Sequence, residues 1–267
     1  MATERTSGRE IFHLNAKLGI VRFVKGVNYW RYAEYPWVYN NLGLSENQRI
    51  LDVGSSSCSL LALLLASKKK YCVHVTDIDA RVLQHIKFAR KLGLDDQIGR
   101  KKLFIERQDA TSLTYRGEMF DRATAISVLE HIPGEGDTKA IKEVSRVLKP
   151  GGVAVVTVPY NLSYRETFVR RNVYDRAYEG SPVFYQRHYD TVRLVERLIE
   201  PSGLVVKNIE YFGEDGLRFE RFWESAPVIV KALVGWMRPV FSMIAIRRIG
   251  EDSLQKAMAA FLVLEKY

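Results

Sequence analysis

Ten residues constrain this chain more than any others: Ile50-Leu51-Asp52-Val53-Gly54-Ser55-Ser56-Ser57-Cys58-Ser59. A short apolar run ends in Asp-x-Gly. A cluster of very small residues follows, and Leu60 to Ala66 then reads as an apolar helix. Strand, tight turn and helix N-terminus, in that order, is how an α/β protein brings bare backbone against a nucleotide-like ligand. Tyr71 to Thr76 reads as the next strand and ends at Asp77, 23 positions after Gly54. A carboxylate there is placed to accept hydrogen bonds from ribose hydroxyls. Together the two features point to an adenosine-containing ligand.

The alternation continues. Strands are expected at Arg49 to Gly54, Tyr71 to Thr76, Lys102 to Arg107, Phe120 to Ser127 and Gly152 to Val158. Helices are expected at Cys58 to Ser67, Asp79 to Leu92 and Asp137 to Leu148. Such alternation means βαβ units and a mostly parallel sheet. Ligands of such sheets sit at the carboxyl ends of the strands. Asp52 to Ser57, Asp77, Asp109 and Ser127 all fall at strand ends, which makes one candidate site. Farther on, Thr191 to Ile199 reads as a helix, and Leu204 to Tyr211 and Ala259 to Glu265 as strands.

Three segments do not fit the alternation. Residues 1–44 hold the aromatic cluster Tyr29, Trp30, Tyr32, Tyr35, Trp37 and Tyr39 and read as an N-terminal helical cap. Residues 160–189 and 213–258 read as insertions into a sheet domain spanning 45–267, positioned to cover the acceptor side of the ligand edge. Within the second insertion, Ala226 to Ile246 is apolar except for Lys231, Gly235, Arg238 and Ser242, which follow helical spacing. Lys231, Arg238 and Pro239 argue against a membrane-spanning helix. With Arg247 and Arg248, the 226–248 segment has the composition of a peripheral membrane contact, and equally of a pocket cover or a partner contact.

The 267 residues carry a formal net charge of +9, so an anionic partner is compatible with the chain. The basic residues come in short scattered clusters, which argues against nucleic acid as the main partner. Two cysteines, Cys58 and Cys72, give neither a disulfide framework nor a metal spacing. With a polar, charged N-terminus, this implies a cytoplasmic protein.

With those residues in view, the chain resembles class I S-adenosylmethionine-dependent methyltransferases of the small-molecule-type branch, over roughly residues 45–212 and the final strand. The resemblance is carried by Leu51-Asp52-Val53-Gly54, Asp77-Ile78, Gln108-Asp109-Ala110, Phe120-Asp121 through Val128-Leu129-Glu130-His131-Ile132, and Arg146-Val147-Leu148-Lys149-Pro150-Gly151-Gly152. It implies a Rossmann-like three-layer αβα sandwich. The sheet would be mostly parallel and seven-stranded with the last strand antiparallel, plus helical or loop lid additions. It also implies that Gly54 and the turn Ser55, Ser56 and Ser57 lie along the methionyl portion of S-adenosylmethionine. Asp77 would then hold the ribose, Ile78 pack on the adenine, Asp109 bond its exocyclic amine with Ala110 alongside, and Ser127 and Val128 lie under the sulfonium. The departure is Ser56 and Cys58, where the family usually has glycine.

Methyl transfer to an oxygen nucleophile gains from a base. His131 and His188 are the candidates, each with a purely structural alternative. Some relatives bind a metal through an extra acid one turn before the Glu-His pair. Here that position is Ser127, so no metal is expected. Tyr29, Arg31, Tyr160, Tyr164, Arg165, Tyr185 and Arg187 are candidates to line an acceptor pocket, with Tyr29 or Arg31 within reach of the cofactor carboxylate. The acceptor expected is small or lipid-linked. RNA methylation and a non-catalytic partner role are the alternatives, the first motivated by charge and the second by the altered glycine turn.

Overall fold

The computed structural model describes residues 5–20, 22, 27–171, 178–214 and 234–267, with 219, 226, 227 and 230 between them. The strands are β1 (Arg49–Val53), β2 (Cys72–Asp77), β3 (Leu103–Arg107), β4 (Phe120–Ile126), β5 (Leu148–Pro159), β6 (Arg165–Arg171), β7 (Tyr178–His188), β8 (Val205–Glu214), β9 (Ile246–Ile249) and β10 (Ala259–Glu265). Eight of them form one sheet in the order β3-β2-β1-β4-β5-β10-β8-β9. From β3 to β5 every pairing is parallel. β10 runs antiparallel between β5 and β8, as the resemblance implied for the last strand. The sheet has eight strands rather than seven because the 213–258 insertion returns to the edge as β9 and pairs with β8 through Tyr211↔Ile249 to Glu214↔Ile246.

Among the described residues the α-helices of five residues or more are α1 (Gly8–Lys17), α2 (Arg31–Asn41), α3 (Leu60–Ser67), α4 (Gln84–Lys91), α5 (Asp95–Gly99), α6 (Gly136–Val147) and α7 (Arg238–Ala245). α3 is apolar all round, and Leu60 to Ala66 are all buried. Such a helix needs cover on every side. The sheet covers one side. The N-terminal cap covers the other, with Ile11, Leu14, Tyr32, Tyr35, Val38 and Tyr39 joining the α3 leucines in one core cluster. Most of the cap's aromatic rings are therefore core, which explains their density.

The 160–189 insertion is not a helical or loop lid. It is a two-stranded antiparallel hairpin, β6–β7, with Arg165 opposite His188 and Thr167 opposite Gln186. Its base is fixed by buried ionic contacts. Arg187 and Asp137 are both fully buried and lie 3.0 Å apart, and Arg187 also donates to the carbonyls of Ile132 and Gly134. Asp137 further accepts from Tyr189 Oη and from Arg197. One carboxylate at the start of α6 thus ties the hairpin to the loop that follows β4.

Removing one partner of a buried pair leaves an uncompensated charge, at a cost of about 3–5 kcal/mol. Asp137→Ala should lower the unfolding free energy by that amount in urea titration. A loss under about 1 kcal/mol, the median for an exposed ion pair, would show that water screens these charges.

Candidate active site

A cavity of about 640 Å³ opens at the carboxyl ends of β1, β2, β3 and β4, where the strand order reverses on either side of β1. Its floor is the turn after β1. The buried Asp52 holds that turn: its Oδ2 accepts from Ser55 Oγ at 2.6 Å, its Oδ1 from Thr124 Oγ1 at 2.6 Å, and its carbonyl from Thr76 Oγ1 at 3.0 Å. The next residues leave the sheet with positive φ, Gly54 at 69° and Ser56 at 52°. At Gly54 a Cβ would stand 2.3 Å from Val128 Cγ2, so only glycine fits beneath that side chain. At Ser56 the left-handed backbone costs a side-chain residue about 1–2 kcal/mol. The bond from its N–H to Asp77 Oδ2 at 2.7 Å offsets part of that.

The turn delivers the chain to α3. Ser59 caps the helix, accepting from Ala62 N–H at 3.1 Å. The Ser59 N–H itself donates to His85 Nε2 at 2.7 Å, while His85 Nδ1 bonds the Val82 carbonyl at 2.8 Å. The imidazole is thus fixed with its proton on Nδ1. Burial pushes its pKa below the ordinary histidine value, so it stays neutral and keeps its acceptor.

The opposite wall comes from α2 and the end of β4. Ser127 has φ 50°, and its N–H donates to Thr157 O at 2.9 Å. Glu34, 3% exposed, accepts from Thr157 Oγ1 at 2.5 Å and from Ser127 Oγ at 3.2 Å, and pairs with the Arg31 guanidinium. Arg31 also reaches Ser127 Oγ at 3.1 Å. Despite burial, the carboxylate beside Arg31 holds its pKa above the ordinary arginine value. Close by, burial pushes the Glu130 carboxyl up to about 8, which makes it a neutral acid at pH 7, and its Oε2 is buried without a hydrogen-bond partner. His131 Nδ1 donates to the Tyr185 carbonyl at 2.9 Å, which leaves Nε2 as an acceptor. Burial, with Arg31 nearby, lowers the His131 pKa, so a neutral imidazole faces the cavity.

Of the residues singled out for the cofactor, Asp52, Gly54, Ser55, Ser56, Asp77, Ile78, Asp109, Ala110, Ser127 and Val128 all line this cavity. Ser57 does not; it is half-buried in the turn. Of the acceptor candidates, Arg31 and Tyr185 line it. Tyr29 turns away, bonding Glu214 and packing edge-on to Phe219 at 4.8 Å. Tyr160 is buried against Tyr211, Tyr164 bonds Glu166, Arg165 sits on β6 opposite His188, and Arg187 is in the Asp137 network. Of the two histidines, His131 lines the cavity and His188 does not. His188 lies in the hairpin, 3.4 Å from Gln186 Nε2, and burial with Arg165 pushes it down to about 4. Tyr35, expected only as part of the aromatic cap, lines the cavity, and Glu34 behind it was not singled out, although a single acid inside Tyr32-Ala33-Glu34-Tyr35-Pro36-Trp37 is a usable signal. Among the described residues no group of three His, Cys, Asp or Glu is arranged to hold a metal ion.

Residues 51–156 match a family model described as a methyltransferase domain. Methyltransferase GfsG of Streptomyces halstedii is 30% identical over 116 residues, 43% of this chain and 39% of that protein. The chain spans between 13% and 62% of the length of the curated relatives it matches. Its fold is similar to that of a SAM-dependent methyltransferase from Methanosarcina mazei, with a TM-score of 0.56 and 21% identity over 87% of this chain and 97% of that one. It is also similar to geranyl diphosphate C-methyltransferase from Streptomyces coelicolor, solved with Mg2+, geranyl diphosphate and S-adenosyl-L-homocysteine. There the TM-score is 0.56 and the identity 11%, over 88% of this chain and 77% of that one.

The Gly54–Val128 contact gives a direct test. Gly54→Ala should weaken S-adenosylhomocysteine binding at least about tenfold, since the left-handed backbone alone costs about 1–2 kcal/mol before the clash. Adding Val128→Ala should recover part of the loss in calorimetric titration. No recovery would mean that the backbone conformation, and not the contact, sets the requirement.

Proposed function

With residues 51–156 forming a class I S-adenosylmethionine-dependent methyltransferase domain, we propose that the chain transfers a methyl group to an oxygen of a small or lipid-like acceptor. The observation that carries the oxygen reading is His131, which lines the cavity as a neutral imidazole with its proton fixed on Nδ1 and its Nε2 left as an acceptor, 3.8 Å from the buried Glu130 Oε1.

The cavity residues fit the cofactor. Asp77 has one lone pair on each oxygen spent, on the N–H groups of Ser56 and Asp79, and the others remain for two ribose hydroxyls. Asp109 spends Oδ1 on Thr111 and keeps Oδ2 for an exocyclic amine. Exposed Ile78 offers an apolar surface for a base. Gly54 and the Ser55–Ser56 backbone admit the amino-acid portion closely, and Arg31 has guanidinium donors beyond its bonds to Glu34 and Ser127 for a carboxylate.

When bound, S-adenosylmethionine supplies an electrophilic methyl on a sulfonium. The work left to the protein is alignment and a proton sink. His131 Nε2 would take the proton released by the acceptor hydroxyl on methylation, for which S-adenosylmethionine would supply the methyl and S-adenosylhomocysteine would be the second product. The Tyr185 carbonyl stabilises the imidazolium through Nδ1–H. Glu130, kept protonated by burial, adds no negative charge behind His131. Ile132, Pro133 and Tyr185 give the acceptor side an apolar lining, which suits a lipid-like group.

His131→Ala should lower kcat by about 10²–10⁴-fold while leaving S-adenosylhomocysteine affinity within about twofold. Because the His131 pKa is lowered, the base form persists below the ordinary value, and the acid limb of kcat/KM should lie below about 6.5 and vanish in the variant. Equal loss of turnover and cofactor affinity would contradict the assignment.

A further inference from the structure

Helix α7 is amphipathic in the opposite sense to an ordinary surface helix. Trp236, just before it, and Val240, Met243 and Ile244 within it are 51%, 44%, 74% and 49% exposed. Their spacing of i, i+4, i+7 and i+8 puts all four on one face. The polar members of the segment lie inward. Ser242 is buried, and Arg238 donates to the Val27 carbonyl at 2.7 Å. Lys231, the first residue of that polar spacing, lies outside the described residues. Phe241 stacks on Phe219 at 4.4 Å, and Ala245 is buried.

Charge and position say what this face meets. Arg247 and Arg248 follow α7 directly on β9 and are both exposed. Arg248 keeps 67% of its side chain in solvent even with Glu210 at 3.4 Å, and Arg247 donates to the Met243 carbonyl. The nearest following acids, Glu251 and Asp252, lie beyond the far end of β9, roughly 13 Å along an extended strand. An apolar strip with a tryptophan at one end and arginines at the other, on a chain of net charge +9, complements an apolar layer faced with negative charge. Among the described residues, the four side chains of this face fall well short of the about 800 Å² per partner that a stable protein interface buries. The other side of the helix leads toward the cavity: α7 packs on α2, which carries Arg31 and Tyr35, and Arg238 holds Val27 at the cavity wall.

We propose that α7 with Trp236, Arg247 and Arg248 is an interfacial docking surface for an anionic phospholipid bilayer, and that it holds the cavity beside the membrane for a lipid-linked acceptor. The second half rests on the functional reading above; the docking stands on α7 alone. Among the described residues no helix is long and apolar enough to cross a membrane.

The test is sedimentation of the full chain with phosphatidylcholine vesicles and with vesicles of phosphatidylcholine mixed with phosphatidylglycerol. The protein should pellet with the mixed vesicles and be released by salt. Met243→Glu with Ile244→Glu should weaken this several-fold with thermal unfolding unchanged, since both side chains are exposed. Absence of pelleting, or equal pelleting of the variant, would overturn the proposal. So would a dimer in light scattering that the double variant abolishes, which would place a second copy on the face. S-adenosylhomocysteine titration of the same samples separates the two readings. A chain that binds the nucleoside but not vesicles fails on docking alone; one that binds vesicles but not the nucleoside fails on methyl transfer alone.

Discussion

The structure depends on one buried carboxylate. Asp52 ends β1 with both oxygens engaged, one by Ser55 in the turn and one by Thr124 on β4, while its carbonyl holds Thr76 on β2. A buried carboxylate is tolerated only when hydrogen-bonded, and here its two donors, with the Thr76 donor to its carbonyl, are the parts that must be aligned. The turn cannot drift relative to β2, which ends at Asp77, or β4, which Ser127 directly follows. With the turn fixed, the left-handed backbone of Gly54 and Ser56 follows, Val128 closes over Gly54, and Asp77 is drawn onto the Ser56 N–H. Strain of this kind persists only where the surroundings over-determine it.

A second polar network, on the far side of the cavity, makes the N-terminal cap part of the site. Glu34 crosses from α2 to Thr157 on β5 and Ser127 at the end of β4, and brings Arg31 with it. The sheet domain alone would lack the guanidinium and the wall beside Ser127. Cap and site are also joined through α3, whose leucines pack on both the sheet and the cap. Folding the cap therefore completes the core and the cavity together.

The sequence was most legible where local rules and global fold agree. The parallel strands, the small-residue turn, Asp77 and Asp109 sit where periodicity and the Asp-x-Gly signal placed them. The 160–189 hairpin was hidden because its alternation is not apolar against polar. Arg187 and Tyr189 are both buried, but an arginine there reads as solvent-facing until Asp137 is seen opposite it. β9 was hidden because Ile246-Arg247-Arg248-Ile249 is a four-residue edge strand with only its ends buried. His188 looked functional because of its neighbours; Arg187 and Tyr189 beside it are dense for ionic and packing reasons. The helical stripe of Arg238 and Ser242 was readable, but which side it faced depended on Val27 and Phe219, far away in sequence.

The proposed methyl transfer requires an adenosine-type sulfur cofactor to bind between Asp77, the turn after β1 and Arg31, which together line the cavity. Calorimetric titration of the chain with S-adenosylhomocysteine, with NAD as control, tests that most directly. The account predicts saturable binding of S-adenosylhomocysteine with a Kd of about micromolar order and no heat from NAD. Silence with S-adenosylhomocysteine, or equal binding of both, would contradict it.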